Sequence, residues 1–586
     1  MKRFSVAAGR HRPRHGDSVK TLVAATLLGV FLVVSACGGD TPSQPGLDVF
    51  APEDIRPPYF SDGASHDPAP TPDTSPPRDT EPAPDTTPDT LLDGFEEPSD
   101  ADDYEWDDRD LRPDRTPPEV IAFSPADGAE GVPAEFVVEV EFNKALNANS
   151  VTLNENVKVV NLASGNPVIG QLTKLPSASD VRKIQFRPNQ PLMPGTPVSV
   201  ELTTDIRDRL GTRMERFVRF RFFTAPRATP PHHVELAARY APTIRQETMS
   251  PNPHFNYPTG MDFHGEFDLT AAAAALRTAD SVPAKVYYSV IDTESHWFIS
   301  YIFYYPINYL TNSDRHHSNY MGGLQVVVAR YPQERPIMVQ VYSKTDAAED
   351  ILAYVTAESG LADSFRDRDL IDGVYPQSEL FPDGRFQAYL RADSHQSCAW
   401  VDRSRRKPPD LCILDETMID SLPLIVYEYK DGTAESIEKS GASFPSSTAP
   451  GETIGYALEN LMERLWPRRL DVEPLGDVFS ESFEFESVHG RPGKGLAAGS
   501  RLLSTEGDFA AYGRPPWAWE WRALVGKYIE LKRGTFFLDP AYFLMRRGGA
   551  LPDWDETQQT GISLDYCYHP YLAVDFLEIH PSCAVD

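Results

Sequence analysis

The most informative hydrophobic patterning in the chain lies between Ser295 and Arg330. A dense aromatic and aliphatic run, Trp297 to Tyr309, precedes a polar stretch holding His316, His317 and Asn319. Gly322–Gly323 closes that stretch, and a β-branched run from Leu324 to Ala329 follows. The two runs predict strands, and the polar residues between them predict a loop. Loops held by rigid strands are where ligand-contacting side chains concentrate. The same pattern also describes an ordinary long hairpin, so the residues alone leave both readings open.

Elsewhere the pattern divides the chain. Residues 116–225 carry short strand-like runs at Val120–Phe123, Phe136–Phe142, Lys183–Phe186, Pro197–Thr203 and Phe217–Phe223, with turn signals between them at sandwich spacing. Residues 226–231 form a hinge, and residues 232–586 read as one large β-rich (α+β) domain or two joined ones. Its strands are predicted at Val286–Val290, Trp297–Tyr305, Leu324–Ala329, Met338–Tyr342, Ala388–Leu390 and Leu424–Tyr427. Helices are predicted at Glu235–Tyr240, Leu269–Thr278 and Ile454–Leu465. The predicted fold class is mainly β: an Ig-like sandwich followed by a larger sandwich-like domain.

The first hundred-odd residues read differently. Met1 to Lys20 is basic, Thr21 to Val34 is a short apolar run, and Val34-Ser35-Ala36-Cys37 follows. A basic segment, a short apolar core and small residues make a secretory signal. A cysteine directly after them resembles a bacterial lipobox, which implies a signal peptide over 1–36 and lipidation of Cys37. Residues 37–115 are crowded with Pro, Asp and Thr, too polar to offset the entropy of ordering, so they predict a disordered spacer. The chain carries a net charge of −31, and more than half of it falls between Cys37 and Thr116. Such a chain has no electrostatic route to a phosphate backbone, which excludes nucleic acid as a partner. Cys398, Cys412, Cys567 and Cys583 remain after Cys37. Even parity in an exported chain predicts two disulfides, and close spacing favours Cys398–Cys412 and Cys567–Cys583.

Two further resemblances add to this. Ser124-Pro125-Ala126-Asp127-Gly128-Ala129, Phe142-Asn143-Lys144-Ala145-Leu146, Phe186-Arg187-Pro188, Pro194-Gly195-Thr196 and Ile206-Arg207-Asp208-Arg209-Leu210-Gly211 resemble the bacterial Ig-like domain named after the S-layer protein SbsA. That resemblance implies a spacer or adhesive module without catalytic residues. Further on, Leu236 to Pro242, Tyr301 to Pro306, His316 to Gly322 and Tyr389 to His395 are similar to NPP1-type necrosis-inducing proteins and relatives of vacuolar protein sorting-associated protein 62. In the toxins of that superfamily a divalent cation sits on four positions that fall here on Asn308, His316, Asn319 and Met321. Amides and a thioether stand where carboxylates are needed, so the resemblance implies a lost site for calcium or magnesium. Neither a metal nor another cofactor is expected.

Enzyme signatures such as G-x-S-x-G, H-E-x-x-H and the Walker A loop are absent from the sequence. A weaker catalytic reading remains, a hydrolase or other enzyme using His316, His317, Asp393 and His395. The leading expectation is a non-catalytic lipoprotein of the bacterial envelope, outer-membrane-anchored on the periplasmic face or the cell surface. It would bind a glycan, a lipid or another envelope protein. Replacing Cys37 by Ser should abolish palmitate incorporation and release the protein from membranes on fractionation; unchanged labelling and fractionation would contradict the lipobox reading.

Overall fold

The computed structural model describes residues 114–309, 316–344, 349–365, 370–401, 422–469, 478–485, 496–503, 513–521, 531–549 and 551–571. The expectations for Cys37, the linker, Cys412 and Cys583 lie outside these residues. Among the described residues no helix is long and apolar enough to cross a membrane.

Residues 114–224 fold as two facing sheets. One orders Val120–Ser124, Val138–Leu146, Asp180–Pro188 and Gly170–Ser177. The other orders Ala129–Val132, Val218–Thr224, Pro197–Leu202, Val157–Asn161 and Asn166–Pro167. Alternation explains the packing. Val138, Val140 and Phe142 from one sheet meet Val198, Val200, Leu202, Phe220 and Phe222 from the other in a single core. Five of the nine strands are those the sequence pattern predicts. The shorter or more polar ones at 129–132, 157–161, 166–167 and 170–177 escape it, because they carry little apolar signal.

The C-terminal region is organised by a twelve-stranded sheet. Its strands in chain order are β1 (Thr243–Glu247), β2 (Lys285–Thr293), β3 (His296–Asn308), β4 (His317–Ala329), β5 (Arg335–Lys344) and β6 (Glu349–Thr356). Then come β7 (Gly373–Tyr375), β8 (Gln387–Leu390), β9 (Ser397–Ala399), β10 (Leu424–Tyr429), β11 (Ile454–Asn460) and β12 (Tyr566–Tyr568). The order across the sheet is β7-β6-β5-β4-β3-β2-β11-β10-β1-β8-β9, and β12 pairs with β2. Helix α1 (Pro231–Arg239) starts on a proline, whose fixed φ suits a first helical position. Helix α2 (Leu269–Thr278) is capped by Asp268, whose carboxylate accepts from the amides of Thr270 and Ala271.

Both faces of this sheet are buried. On β3, Ile299, Tyr301, Phe303, Tyr305 and Ile307 enter one core, while Phe298, Ile302 and Tyr304 enter the other. On β4, Leu324, Val326 and Val328 face the first core; Met321, Val327 and Ala329 face the second. A strand covered on both sides reads as a continuous apolar run, as Trp297–Tyr309 does. Gly323 admits the second core's aromatic cluster. A Cβ there would sit 2.5 Å from the Tyr301 carbonyl oxygen and 3.0 Å from Trp519, whose ring stacks on Tyr342 at 4.1 Å.

Two local expectations need correction. The predicted loop at 316–323 is strand from His317 onward, so Asn319, Gly322 and Gly323 lie within β4. Ile454 to Leu465 is strand to Asn460 and only then a short helix, Leu461–Arg464. Its helical periodicity is overridden by parallel pairing with both β2 and β10.

The Ig-like unit touches the large domain through its Pro194–Gly195 turn. Gly195 takes a positive φ of 66°, which glycine tolerates without strain. Its carbonyl accepts from the buried Arg469 guanidinium at 3.0 Å, and that guanidinium lies 4.4 Å over the Trp466 ring. Burial alone lowers the Arg469 pKa to about 9. Arg468 adds an ion pair with Glu130.

Candidate functional site

The histidine candidates meet at the end of the β3–β4 pair. Asn308 closes β3 directly opposite His317, the first residue of β4. Residues 391–396 turn the chain between β8 and β9, held by the Arg391 amide donating to Gln396 O at 2.9 Å. In this turn Asp393 and His395 both take positive φ, 63° and 51°, which carries the His395 ring inward. It stacks on Tyr305 with centroids 3.7 Å apart and planes 12° from parallel.

Asn308 links the two rings. Its Oδ1 lies 3.0 Å from His395 Nδ1, and its Nδ2 lies 3.2 Å from His317 Nε2. The far nitrogens face backbone oxygens: His395 Nε2 lies 3.2 Å from Phe255 O, and His317 Nδ1 lies 3.1 Å from Ser318 O. Exposure is 0% for His395 and 2% for His317. Burial pushes the His395 pKa down to about 3, with the neighbouring His317 lowering it further against the opposing pull of the Phe255 carbonyl. The imidazole is therefore neutral at physiological pH, and with a single N–H it donates to one of the two oxygens it faces.

The surrounding polar groups are also engaged. Tyr305 donates to Gln246 Oε1 at 2.8 Å. Glu247 accepts from Tyr389 at 2.6 Å and from the Ala392 amide at 3.1 Å. The Asp393 amide donates to Asn256 Oδ1 at 2.6 Å, and its carbonyl accepts from Tyr309 N at 3.2 Å. These bonds lock the turn that aims His395.

The structure thus brings His317 and His395 together through Asn308, with Asp393 in the same turn as His395, and sets His316, Asn319 and Met321 apart. His316 is half-exposed, its ring 6.1 Å from that of Tyr309. Asn319 turns to the opposite face of the sheet. There its Oδ1 accepts from Tyr304 at 2.5 Å, and its Nδ2 donates to Leu269 O at 2.9 Å and Leu503 O at 2.6 Å. Met321 lies in the second core. Asn308 and the pair Asn319–Met321 are therefore divided by the sheet, and the four positions implied by the toxin resemblance share no common centre.

The sequence reading missed a second feature. A cavity of about 260 Å³ opens where the β2–β3 hairpin, the β4–β5 turn and residues 551–562 meet. Its lining includes His296, Tyr331, Arg335, Trp554 and Gln559. Tyr331 is 39% exposed, and its ring lies 5.8 Å from that of Trp554. His296 bonds Ser295 Oγ through Nδ1 at 2.7 Å. Burial, reinforced by Arg330, lowers its pKa to about 4. Arg335 Nε is buried with no hydrogen-bond partner among the described residues. These residues come from segments more than 200 positions apart, so no local motif announces them. A third cluster, His232, His233 and Asp292, was likewise not singled out by sequence.

Residues 114–224 match the model of a bacterial Ig-like domain. No curated protein matches the chain. Among solved structures, CopC from Methylosinus trichosporium OB3b is similar at 11% identity, over 19% of this chain and 98% of that one, with a TM-score of 0.15. The N-terminal part of the bacterial S-layer protein SbsC is similar at 10% identity and a TM-score of 0.15, over 35% of this chain and 43% of that one. An L,D-transpeptidase from Mycobacterium smegmatis is similar at 13% identity and a TM-score of 0.13, over 42% of this chain and 84% of that one. With TM-scores this low, none of these likenesses speaks to the fold or activity of the whole chain.

Asn308→Ala should leave both buried rings short of a partner. An unsatisfied buried polar group costs roughly 1–3 kcal/mol, so chemical denaturation should show the C-terminal domain destabilised by roughly 2–4 kcal/mol. A change within about 0.5 kcal/mol, the range of an ordinary surface substitution, would contradict the linking role.

Proposed function

We propose that the protein is an exported, lipid-anchored envelope protein in which the Ig-like sandwich carries a C-terminal binding module, and that the module takes a short glycan against the neighbouring rings of Tyr331 and Trp554. The observation carrying this reading is the cavity of about 260 Å³ beside those two rings. Concave sites with aromatic walls and a few polar groups are the usual small-ligand sites of proteins. Flat aromatic faces suit the apolar faces of sugar rings, and the Gln559 amide suits hydroxyls. The Arg335 guanidinium suits an acidic substituent, since its planar fork matches a carboxylate. Anchoring follows from the lipobox resemblance ending at Cys37. The disulfides Cys398–Cys412 and Cys567–Cys583 belong to the same exported reading.

The histidine set supports this reading over the hydrolase. A general base needs a nitrogen within reach of substrate. His395 has both ring nitrogens against protein oxygens, and Asn308 stands between it and His317. Such rings hold a turn in place.

Calorimetric titration of the full chain in detergent should show binding of an oligosaccharide bearing a carboxylate and weaker binding of its neutral counterpart. Trp554→Ala and Arg335→Ala should each weaken the acidic ligand at least tenfold, or about 1.4 kcal/mol. Absence of saccharide binding, or binding unchanged by both substitutions, would overturn the glycan assignment.

A further inference from the structure

His232, His233 and Asp292 assemble where the hinge from the Ig-like unit enters the large domain. The two histidines occupy the first turn of α1, and Asp292 lies near the end of β2, paired with Tyr568 of β12. One ligand atom from each of the three falls within 4.8 Å of the others. The His232 and His233 rings are 4.2 Å apart, and His233 Nε2 is 3.6 Å from Asp292 Oδ2.

His233 is the telling residue. It is fully buried, yet neither ring nitrogen has a hydrogen-bond partner among the described residues. Buried polar groups are nearly always satisfied, and an exception calls for a missing ion or water. The 3.6 Å separation from Asp292 is too long for a hydrogen bond. It is close to the spacing of about 3.4 Å between two atoms bound tetrahedrally to one zinc at about 2.1 Å.

We infer that His232, His233 and Asp292 form a zinc site that fastens the hinge onto the end of the interior strand β2. The donor set decides the metal. Two imidazoles and one carboxylate suit a borderline-soft divalent ion, whereas calcium and magnesium need more oxygen ligands than one aspartate supplies. Asp292 is also held as a ligating carboxylate should be. Its Oδ1 accepts from Arg330 Nη1 at 2.7 Å, which leaves Oδ2 directed at His233, and such outer hydrogen bonds orient metal ligands. The Arg330 charge sets a limit on affinity, because it repels a cation sharing the same carboxylate. Three protein donors leave a fourth tetrahedral position for water. The hinge is already seated against the large domain by Arg227, which donates to His569 O at 3.3 Å. Bound zinc would add a second tie five residues further on. This inference is independent of the glycan assignment.

The test uses the full chain in detergent, stripped with a chelator and titrated with zinc chloride under calorimetry. The expected result is one zinc per chain, with affinity at least tenfold weaker in His232→Ala and in Asp292→Asn. Cobalt(II) in place of zinc should give the visible absorption of tetrahedral coordination in the unsubstituted chain and lose it in both variants. His232 is partly exposed, so His232→Ala should keep its circular dichroism even if Asp292→Asn unfolds. Absence of stoichiometric zinc, or zinc affinity and a cobalt spectrum unchanged in a folded His232→Ala variant, would overturn the assignment.

Discussion

The large domain depends on a sheet buried on both faces. Burial of both sides makes an unpaired polar group on β3 or β4 expensive, because it costs as much as several apolar contacts contribute. Several polar residues on this strand pair are engaged accordingly. Asn308 joins His317 to His395, Tyr304 donates to Asn319, and Gln325 donates to Ser300 at 3.1 Å. The same constraint separates the functional candidates. Side chains on opposite faces of one sheet cannot converge on one ion, and Asn308 and Asn319 lie on opposite faces.

This division explains why the cavity lined by Tyr331 and Trp554 lies at one rim of the C-terminal domain. The core on either side is filled by aromatics: Tyr301 and Tyr305 on one face, Trp517, Trp519 and Phe536 on the other. Room for a ligand arises where the sheet's hairpins end and the chain returns at residues 551–562. The proposed zinc ligand Asp292 and the cavity residue His296 flank the same β2–β3 hairpin, so both features draw on that one rim.

Much of the fold was legible in the sequence, and the reason is physical. Strands such as Trp297–Tyr305 and Leu324–Ala329 announce themselves because their whole length is apolar. Helix Leu269–Thr278 appears with its predicted bounds because an alanine-rich run follows an aspartate cap. The start of β4 was hidden because His317, Ser318 and Asn319 are polar, and only their tertiary partners show that they belong in a core. The site was legible in part. The sequence singled out His317 and His395 as candidates but left open whether their segments meet, and it carried no sign of Asn308 as their link. Arg335 with Trp554, and His233 with Asp292, are brought together only by topology, and single-sequence spacing carries no trace of that.

The central claim is that His395 is a neutral, structural ring within the core. Its pKa stands near 3 against an ordinary value of 6.5. The unfolded chain therefore takes up a proton that the folded chain refuses, and stability contributed by this ring is present above pH 6.5 and declines as pH falls toward 3. Side-chain nitrogen NMR of the folded protein, with His395 assigned through His395→Gln, measures this directly. The account predicts a ring that stays neutral in one tautomer from pH 8 to pH 5. A His395 titration midpoint near 6.5 in the folded protein would mean that the ring is reached by water, and would contradict the structural reading.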